Sequence, residues 1–397
     1  METRRLFDED AYVKDFQATV ISIEPQSEAS FVYDIVLDQT AFFPEEGGQS
    51  ADTGRLGAGQ VQDIQIKDGV ITHQVLFEDS EKDLPKVGDM ITGSIQWDRR
   101  YTNMQNHTGE HIFSGIVHSK FGFENVGFHL SDNSVTMDYN GMLTEEDVRF
   151  VEAQANAAIY ENIEVRCEYP DRENLAQLDY RSKKELSGAI RIVTIPGVDV
   201  CACCAPHVHR TGEVGMLKVI GFQKYKGGTR LEIRCGWRAL QHYRDMLEQL
   251  QRISQQLSAA IPQIPEYIER LMAENRRLAG ELREVRGAEI ARRMQEIPAG
   301  QNHVFIYAKD IDSHQMRQTV NELVKEHGGY CGVFSQTNVD NIAYIIGAAS
   351  MDCREVGTTL KERFDAKGGG KAEMIQGAIS GVDYDTIEQY LMGRYSS

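Results

Sequence analysis

Long apolar runs are absent from this chain. No stretch approaches the roughly 18 uninterrupted apolar residues of a membrane-spanning helix, and the opening residues Met1-Glu-Thr-Arg-Arg-Leu-Phe-Asp-Glu-Asp lack the apolar core of a signal peptide. No membrane association is expected, and a cytoplasmic location is. A surplus of positive charge is missing too: 42 basic residues face 60 acidic ones, for a formal charge of −18. That balance opposes non-specific attraction to a polyanion, so any nucleic-acid contact has to be local. Candidate patches are Arg99-Arg100, Arg181-Ser-Lys-Lys184 and the run Lys218, Lys224, Lys226, Arg230 and Arg234, although each also reads as an ordinary solvated face. The seven cysteines are odd in number, with three crowded at 201, 203 and 204. They resemble reduced thiols with one metal cluster more than a disulfide framework.

What is present suffices for two to four cored domains, with 41% hydrophobic residues over 397 positions. Residues 1–95 alternate short apolar runs (18–23, 31–37, 69–76 and 88–97) with Gly, Asp and Pro punctuation, which predicts strands in a small β-barrel. From residue 98 the period turns helical through Met104, His107, His111, Ile112 and Gly115. Strands at 134–139 and 191–195 flank a second helical segment over 144–161, so residues 96–236 read as an α+β domain. Residues 237–297 carry Leu240, Tyr243, Leu247, Leu250 and Leu257, a break at Ile261-Pro-Gln-Ile-Pro265, then Ile268, Leu271, Leu278, Leu282 and Val285. This spacing predicts a long antiparallel helical hairpin of coiled-coil type, with Asn275 as a polar seam residue that sets register. Residues 298–397 alternate strand and helix signals at 304–308, 313–326 and 341–346, as in a separate α/β domain. The expected fold class is therefore α+β and multidomain.

Two motifs carry the chemistry. His107-Thr-Gly-Glu-His111 places two imidazoles at i and i+4, one face of a helix. Almost a hundred residues later, Cys203 and His207 repeat that spacing and would complete a set of three nitrogens and one sulfur, which zinc accepts. Other readings compete. A lone H-x-x-x-H is often two ordinary histidines, and Cys201, Cys204, His207 and His209 could close a small structural site on one loop. The pentapeptide also fits H-x-x-E-H, the inverted zincin pattern, which predicts a metallopeptidase with a carboxylate ligand from Glu145, Glu146 or Glu152. Glu110 is a general base or a carboxylate behind a ligand in one reading and an exposed helix residue in the other. Both a closed structural zinc and a catalytic one with an open position fit.

Gly368-Gly-Gly-Lys371 invites a phosphate-binding reading, but Ala372 stands where a Walker motif requires Ser or Thr, so no ATP is expected. A glycine loop at a helix N-terminus could still hold a backbone phosphate, and a tight strand-to-helix turn is the structural alternative.

Taken together, four ordered motifs spanning nearly the whole chain resemble alanyl-tRNA synthetase. Residues 41–54, with Glu45-Glu-Gly-Gly-Gln-Ser50 at their centre, look like the glycine-rich motif preceding its editing domain. Residues 100–111 are similar to its first zinc motif, Cys203 to His207 with Arg210-Thr-Gly-Glu-Val-Gly215 to its second, and residues 368–377 to the loop of its C-terminal DHH-associated domain. Because the chain starts at the barrel segment, the resemblance points to the freestanding alanyl-tRNA editing proteins of the long form. It implies hydrolysis of tRNA(Ala) mischarged with serine or glycine, one zinc held by His107, His111, Cys203 and His207, and tRNA contact or homodimer formation by the C-terminal half. Thr108, Gln49 and Asp52 are then candidates to hydrogen-bond the substrate, Glu110 a candidate base, and Gly368, Gly369, Gly370 and Lys371 candidates for tRNA. One departure stands out: the synthetase typically has Gly-Gly-Thr between cysteine and histidine, whereas this chain has Cys204-Ala-Pro206. Proline removes an N–H there, and Cys204 could compete with Cys203 for the metal.

Overall fold

Period-two alternation organises the N-terminal part. In the computed structural model, which describes residues 2–27, 31–77, 83–182, 189–338 and 340–395, six strands close into a barrel. They are Asp15–Pro25, Val32–Leu37, Gly54–Leu56, Gly59–Lys67, Val70–Leu76 and Met90–Ile95. Every second residue of Val70–Leu76 points inward, which buries Ile71, His73 and Val75 against Ile35, Leu37 and Ile64. His73 is tolerated there because its ring bonds Thr40 Oγ1 at 2.9 Å and the Ile35 carbonyl at 3.0 Å. Burial lowers its pKa to about 4, so it stays neutral.

The last barrel strand leads directly into the helix Trp97–Phe121. Asn103, Gln105, Asn106, His107, Thr108, Glu110, His111 and Ser114 are all buried in it. Such a helix is stable only where its polar groups find partners, since an unpaired buried one costs about 1–3 kcal/mol. Its surroundings supply them. A four-stranded antiparallel sheet, ordered Leu217–Tyr225, Gly228–Cys235, Val135–Tyr139 and Asn125–Leu130, packs against it with the helix Glu145–Tyr160. A three-stranded sheet of Arg166–Glu168, Ile192–Ile195 and Asp199–Ala202 carries the cysteine segment. Gly115 sets how close that sheet approaches, because a Cβ there would lie 2.4 Å from the Val198 carbonyl oxygen.

Contacts divide the chain into Met1–Leu250 and Gln251–Ser397, where the sequence suggests four parts. Barrel and helix fall in one unit for two physical reasons. Cys203 packs against the apolar clusters of both, and Arg100, fully buried, ties the helix to the barrel by donating to Asp52 Oδ2, the Ala41 carbonyl at 2.6 Å and the Ala11 carbonyl at 3.0 Å. The helix Gly236–Leu257 carries the chain across the division.

The second unit contains the helix Ile264–Gln295 and a five-stranded sheet ordered Val304–Tyr307, Cys331–Asn338, Asn341–Gly347, Met374–Ser380 and Lys367–Gly370. Its first pair is parallel and the others antiparallel, so the expected α/β domain is a mixed sheet, packed by the helices Ser313–Glu326, Cys353–Phe364 and Tyr384–Tyr395. Two long helices flank the short turn Ile261–Gln263, as the proline break predicts. On the second of them, Ile268, Leu271, Leu278, Leu282 and Val285 are 42–66% exposed, and Asn275 is exposed with them.

The glycine loop is corrected by the sheet. Gly368, Gly369 and Gly370 form the edge strand Lys367–Gly370 and open no helix, so the helix-terminal cradle of N–H groups is not formed; Lys371 begins the turn into the next strand. Close strand approach explains the glycines, since a Cβ at Gly368 or Gly370 would lie 2.3 Å from the Gln376 or Met374 carbonyl oxygen. Among the described residues, no helix is long and apolar enough to cross a membrane.

Removing one partner of a buried ion pair leaves an uncompensated charge, at about 3–5 kcal/mol. Arg100→Ala is expected to lower unfolding free energy by about that much, against about 0.5 kcal/mol or less for Arg149→Ala, whose pair with Glu145 is exposed. Denaturant titration of the two variants checks it, and equal effects would contradict the tie between helix and barrel.

Candidate metal centre

The i, i+4 pair His107 and His111 points to the same spot as Cys203 and His207. Ligand atoms of all four lie within 4.8 Å of one another. Cys203 Sγ is 3.6 Å from His107 Nε2 and 3.4 Å from His207 Nε2. Tetrahedral zinc bonds of about 2.3 Å to sulfur and about 2.05 Å to nitrogen put those atoms about 3.6 Å apart, so the spacing fits that ion.

The remaining ring nitrogens explain the convergence. His107 Nδ1 meets Gln49 Oε1 at 2.7 Å, His111 Nδ1 meets Asp199 Oδ2 at 2.9 Å, and His207 Nδ1 meets Thr108 Oγ1 at 3.0 Å. With Nδ1 carrying the proton and donating it to these oxygens, the Nε2 lone pair is left for a cation. Thr108 also accepts the Val208 backbone N–H at 3.3 Å, so the segment that follows Pro206 is pinned to the helix. Asp199 is in turn gripped by Arg181, with Nε to Oδ1 at 2.8 Å and Nη2 to Oδ2 at 2.9 Å.

Electrostatics separate the three neighbouring cysteines. Burial alone would push the Cys203 thiol up, yet His107, His111 and His207 hold it well below the ordinary thiol range. Cys204 is pushed up by burial, by the charge of Cys203 and by Glu46, and Cys201 is pushed up chiefly by burial. Cys203 is thus the thiolate of the group. His207 falls to about 3 through burial, while His111 rises to about 9 because Asp199 and Cys203 outweigh its burial.

The structure places the other candidates as follows. Gln49 is fully buried; its Oε1 holds His107, and its Nε2 has no partner among the described residues. Glu110 is buried, contrary to its exposed reading: Oε1 accepts from Ser114 Oγ at 2.7 Å and Asn125 Nδ2 at 2.5 Å, and Oε2 lies 3.9 Å from His111 Nε2. Asp52 is buried, with its Oδ2 bonded to Arg100 and to the Phe43 amide at 2.7 Å and no hydrogen-bond partner for its Oδ1 among the described residues. The single-loop cysteine site is not assembled, since His207 faces His107 and His209 stacks on Tyr12 at 4.0 Å. Nor does a zincin carboxylate arrive: Glu152 bonds Lys218 and the Val219 amide, Glu145 pairs with Arg149 at the surface, and neither these nor Glu146 joins the ligand group. The basic patches are largely neutralised, with Arg99 on Asp132, Arg181 on Asp199, Lys218 on Glu152 and Arg230 on Asp138; Lys183 and Lys184 lie outside the described residues.

A cleft of about 640 Å³ reaches the ligands, lined by His107, His111 and Cys203 with Arg5, Glu46, Tyr169 and Arg191. Asp199 and Arg191 are the residues that sequence reasoning missed, while Arg181 was read only as part of a basic patch and Glu46 only as part of the glycine-rich motif. A signal for Asp199 existed, because strand alternation puts 199 and 201 on one face, in phase with 203.

Residues 190–232 match the family model described as the second additional domain of threonyl and alanyl tRNA synthetases, and residues 9–99 match that of class II (A) tRNA synthetases. The alanine–tRNA ligase of Ignicoccus hospitalis is 36% identical over 285 residues, covering 68% of this chain and 30% of that protein. That of Thermofilum pendens is 28% identical over 391 residues, 95% of this chain and 42% of the ligase. The alanyl-tRNA editing protein AlaX-L of Pyrococcus horikoshii is 30% identical over 248 residues, 61% of this chain and 60% of that protein. The chain belongs to the family of alanyl-tRNA synthetases and alanyl-tRNA editing proteins. It spans less than half the length of these ligases. Within that alanyl-tRNA family, the histidine and cysteine pairs of this chain meet at one point, as the resemblance implies.

Loss of a partner that orients a ligand costs about 10–100-fold in metal affinity. Asp199→Asn and Gln49→Ala are each expected to weaken zinc binding by that factor in chelator competition, with the fold retained. Unchanged affinity in both would show that the rings hold themselves.

Proposed function

We propose that this protein is a zinc-dependent, cytoplasmic deacylase that hydrolyses tRNA(Ala) mischarged chiefly with serine, and less readily with glycine, which lacks the hydroxyl. The observation that carries the reading is the convergence of His107, His111, Cys203 and His207 beside an open cleft, in a chain of this family. The donor set fits one zinc ion, which when bound would supply Lewis acidity toward the ester carbonyl or hold the substrate in place. Water adds to that carbonyl, and the bond to the terminal ribose oxygen breaks, releasing free amino acid and tRNA. An aminoacyl ester is already activated, so positioning and proton transfer suffice.

The chain's own residues divide these tasks. Thr108, Gln49 and Asp199 hold the three rings. Glu110, its Oε2 3.9 Å from His111 Nε2, is placed to take the proton from the attacking water. The buried Gln49 Nε2 is a donor for a substrate oxygen. A site with such polar groups disfavours alanine, because a missing hydroxyl leaves partners unsatisfied. The exposed edge Gly368–Gly370, with Lys371 beside it, offers open backbone and positive charge to tRNA. The exposed apolar positions on Ile264–Gln295 suit a second copy, as in a homodimer.

The purified, zinc-loaded protein is expected to deacylate seryl-tRNA(Ala) at least about tenfold faster than alanyl-tRNA(Ala), a preference of the size such pockets give. Equal and negligible turnover of both, with zinc bound, would refute the reading. Glu110→Gln should lower kcat by about 10²–10⁴-fold, and Cys203→Ala should lose zinc and activity while keeping its circular dichroism. Unfolding of the latter would favour a purely structural zinc. Light scattering should return twice the chain mass, and a clean monomer would contradict the dimer.

A further inference from the structure

We infer that Glu46 forms a subsite for the α-ammonium group of the aminoacyl ester, beside the ligand cluster; this rests on the deacylase reading above. The geometry begins with Glu46-Gly47-Gly48-Gln49. Both glycines have positive φ, +63° and +86°, and the flanking backbones exchange hydrogen bonds, Glu46 N to Gln49 O at 3.2 Å and Gln49 N to Glu46 O at 3.0 Å. That is a two-residue turn of the primed kind, which glycine alone enters without strain. A directly opposed antiparallel pair projects both side chains to one face. Gln49 uses that face to reach His107 Nδ1, so Glu46 stands on the same side as the ligands.

The turn is held in place by its neighbours. The Gly48 carbonyl accepts from Leu130 N at 2.7 Å, and a Cβ on Gly48 would lie 2.3 Å from the Phe128 carbonyl oxygen. Glu46 lines the cleft together with His107, His111 and Cys203. The thiol of Cys204, next to the ligand Cys203, sits against this turn, 3.5 Å from where a Cβ on Gly47 would lie. Glu46 Oε2 is buried, with no hydrogen-bond partner among the described residues. A buried carboxylate oxygen without a donor is costly, and a cation that arrives with the substrate removes the cost.

Arg5, Arg191 and Asp8 are the other charged groups at or beside the cleft. Arg191 donates to the Cys203 and Ala205 carbonyls at 3.0 and 2.8 Å, and Asp8 accepts from Tyr169 at 2.9 Å and faces Arg191 at 3.7 Å. An aminoacyl ester carries its amino nitrogen two bonds from the reacting carbonyl carbon, so a carboxylate next to the ligands is where that nitrogen falls. Glu46 therefore selects free aminoacyl esters over N-acylated ones, whose neutral amide cannot complete the pair.

The test uses the full, zinc-loaded chain, with seryl-tRNA(Ala) and N-acetyl-seryl-tRNA(Ala) as substrates. The wild type should prefer the free amine by about tenfold or more in kcat/KM, the worth of one charge-assisted hydrogen bond, and Glu46→Gln, nearly isosteric, should collapse that ratio toward one. Binding of a non-hydrolysable 3′-serylamino-3′-deoxyadenosine, followed by calorimetry, should weaken about tenfold in the variant, with zinc content and melting temperature retained. A wild type indifferent to N-acetylation, or a variant slowed equally on both substrates, would overturn the subsite and leave the deacylase reading standing. Failure of the wild type on both substrates would overturn the two together.

Discussion

Three imidazoles can share one cation only if each gives its second nitrogen to something fixed. Gln49, Asp199 and Thr108 are those fixed groups, and they come from the barrel-side loop, the three-stranded sheet and the histidine helix itself. Each imidazole would otherwise choose between two tautomers and a range of ring rotations, and four donors would not meet. With Nδ1 protonated and donated, the three Nε2 lone pairs turn toward Cys203 Sγ, and the ligand set is organised by the fold. The cluster therefore depends on distant segments reaching the helix.

The rest of the first unit serves that reach. Arg100, bonded to Asp52, Ala41 and Ala11, locks the barrel to the first turn of the helix, which brings Gln49 onto His107. Gly115, one turn beyond His111, lets the three-stranded sheet come close enough for Asp199 to reach the ring, and Arg181 keeps that carboxylate oriented and charged. A buried polar helix, unfavourable by itself, is thus the consequence of placing four donors and their partners in one interior.

Sequence spacing disclosed the ligands because both pairs repeat the i, i+4 interval, although only His107 and His111 lie on a helix, while Cys203 to His207 is irregular chain after the strand Asp199–Ala202. Their supporting groups were less legible. That Gln49 and Thr108 hold imidazoles was not legible, because proximity to a motif does not say which ring nitrogen a side chain will meet. Asp52 stands in the same glycine-rich motif, yet its Oδ2 is held by an arginine 48 positions away, a pairing that no local pattern announces. The strand at Gly368 to Gly370 was hidden for another reason: glycines that let two strands approach and glycines of a loop at a helix N-terminus have the same letters. The helix periods at 237–297 were visible as elements, but the exposure of the apolar positions on Ile264–Gln295 depends on what covers them.

Zinc-edge X-ray absorption of the metallated protein tests the central claim most directly. The account predicts one sulfur at about 2.3 Å and three nitrogens at about 2.0–2.1 Å, with the sulfur lost in Cys203→Ala and kept in Cys204→Ala. Two or more sulfurs, or a sulfur shell that survives Cys203→Ala, would contradict it.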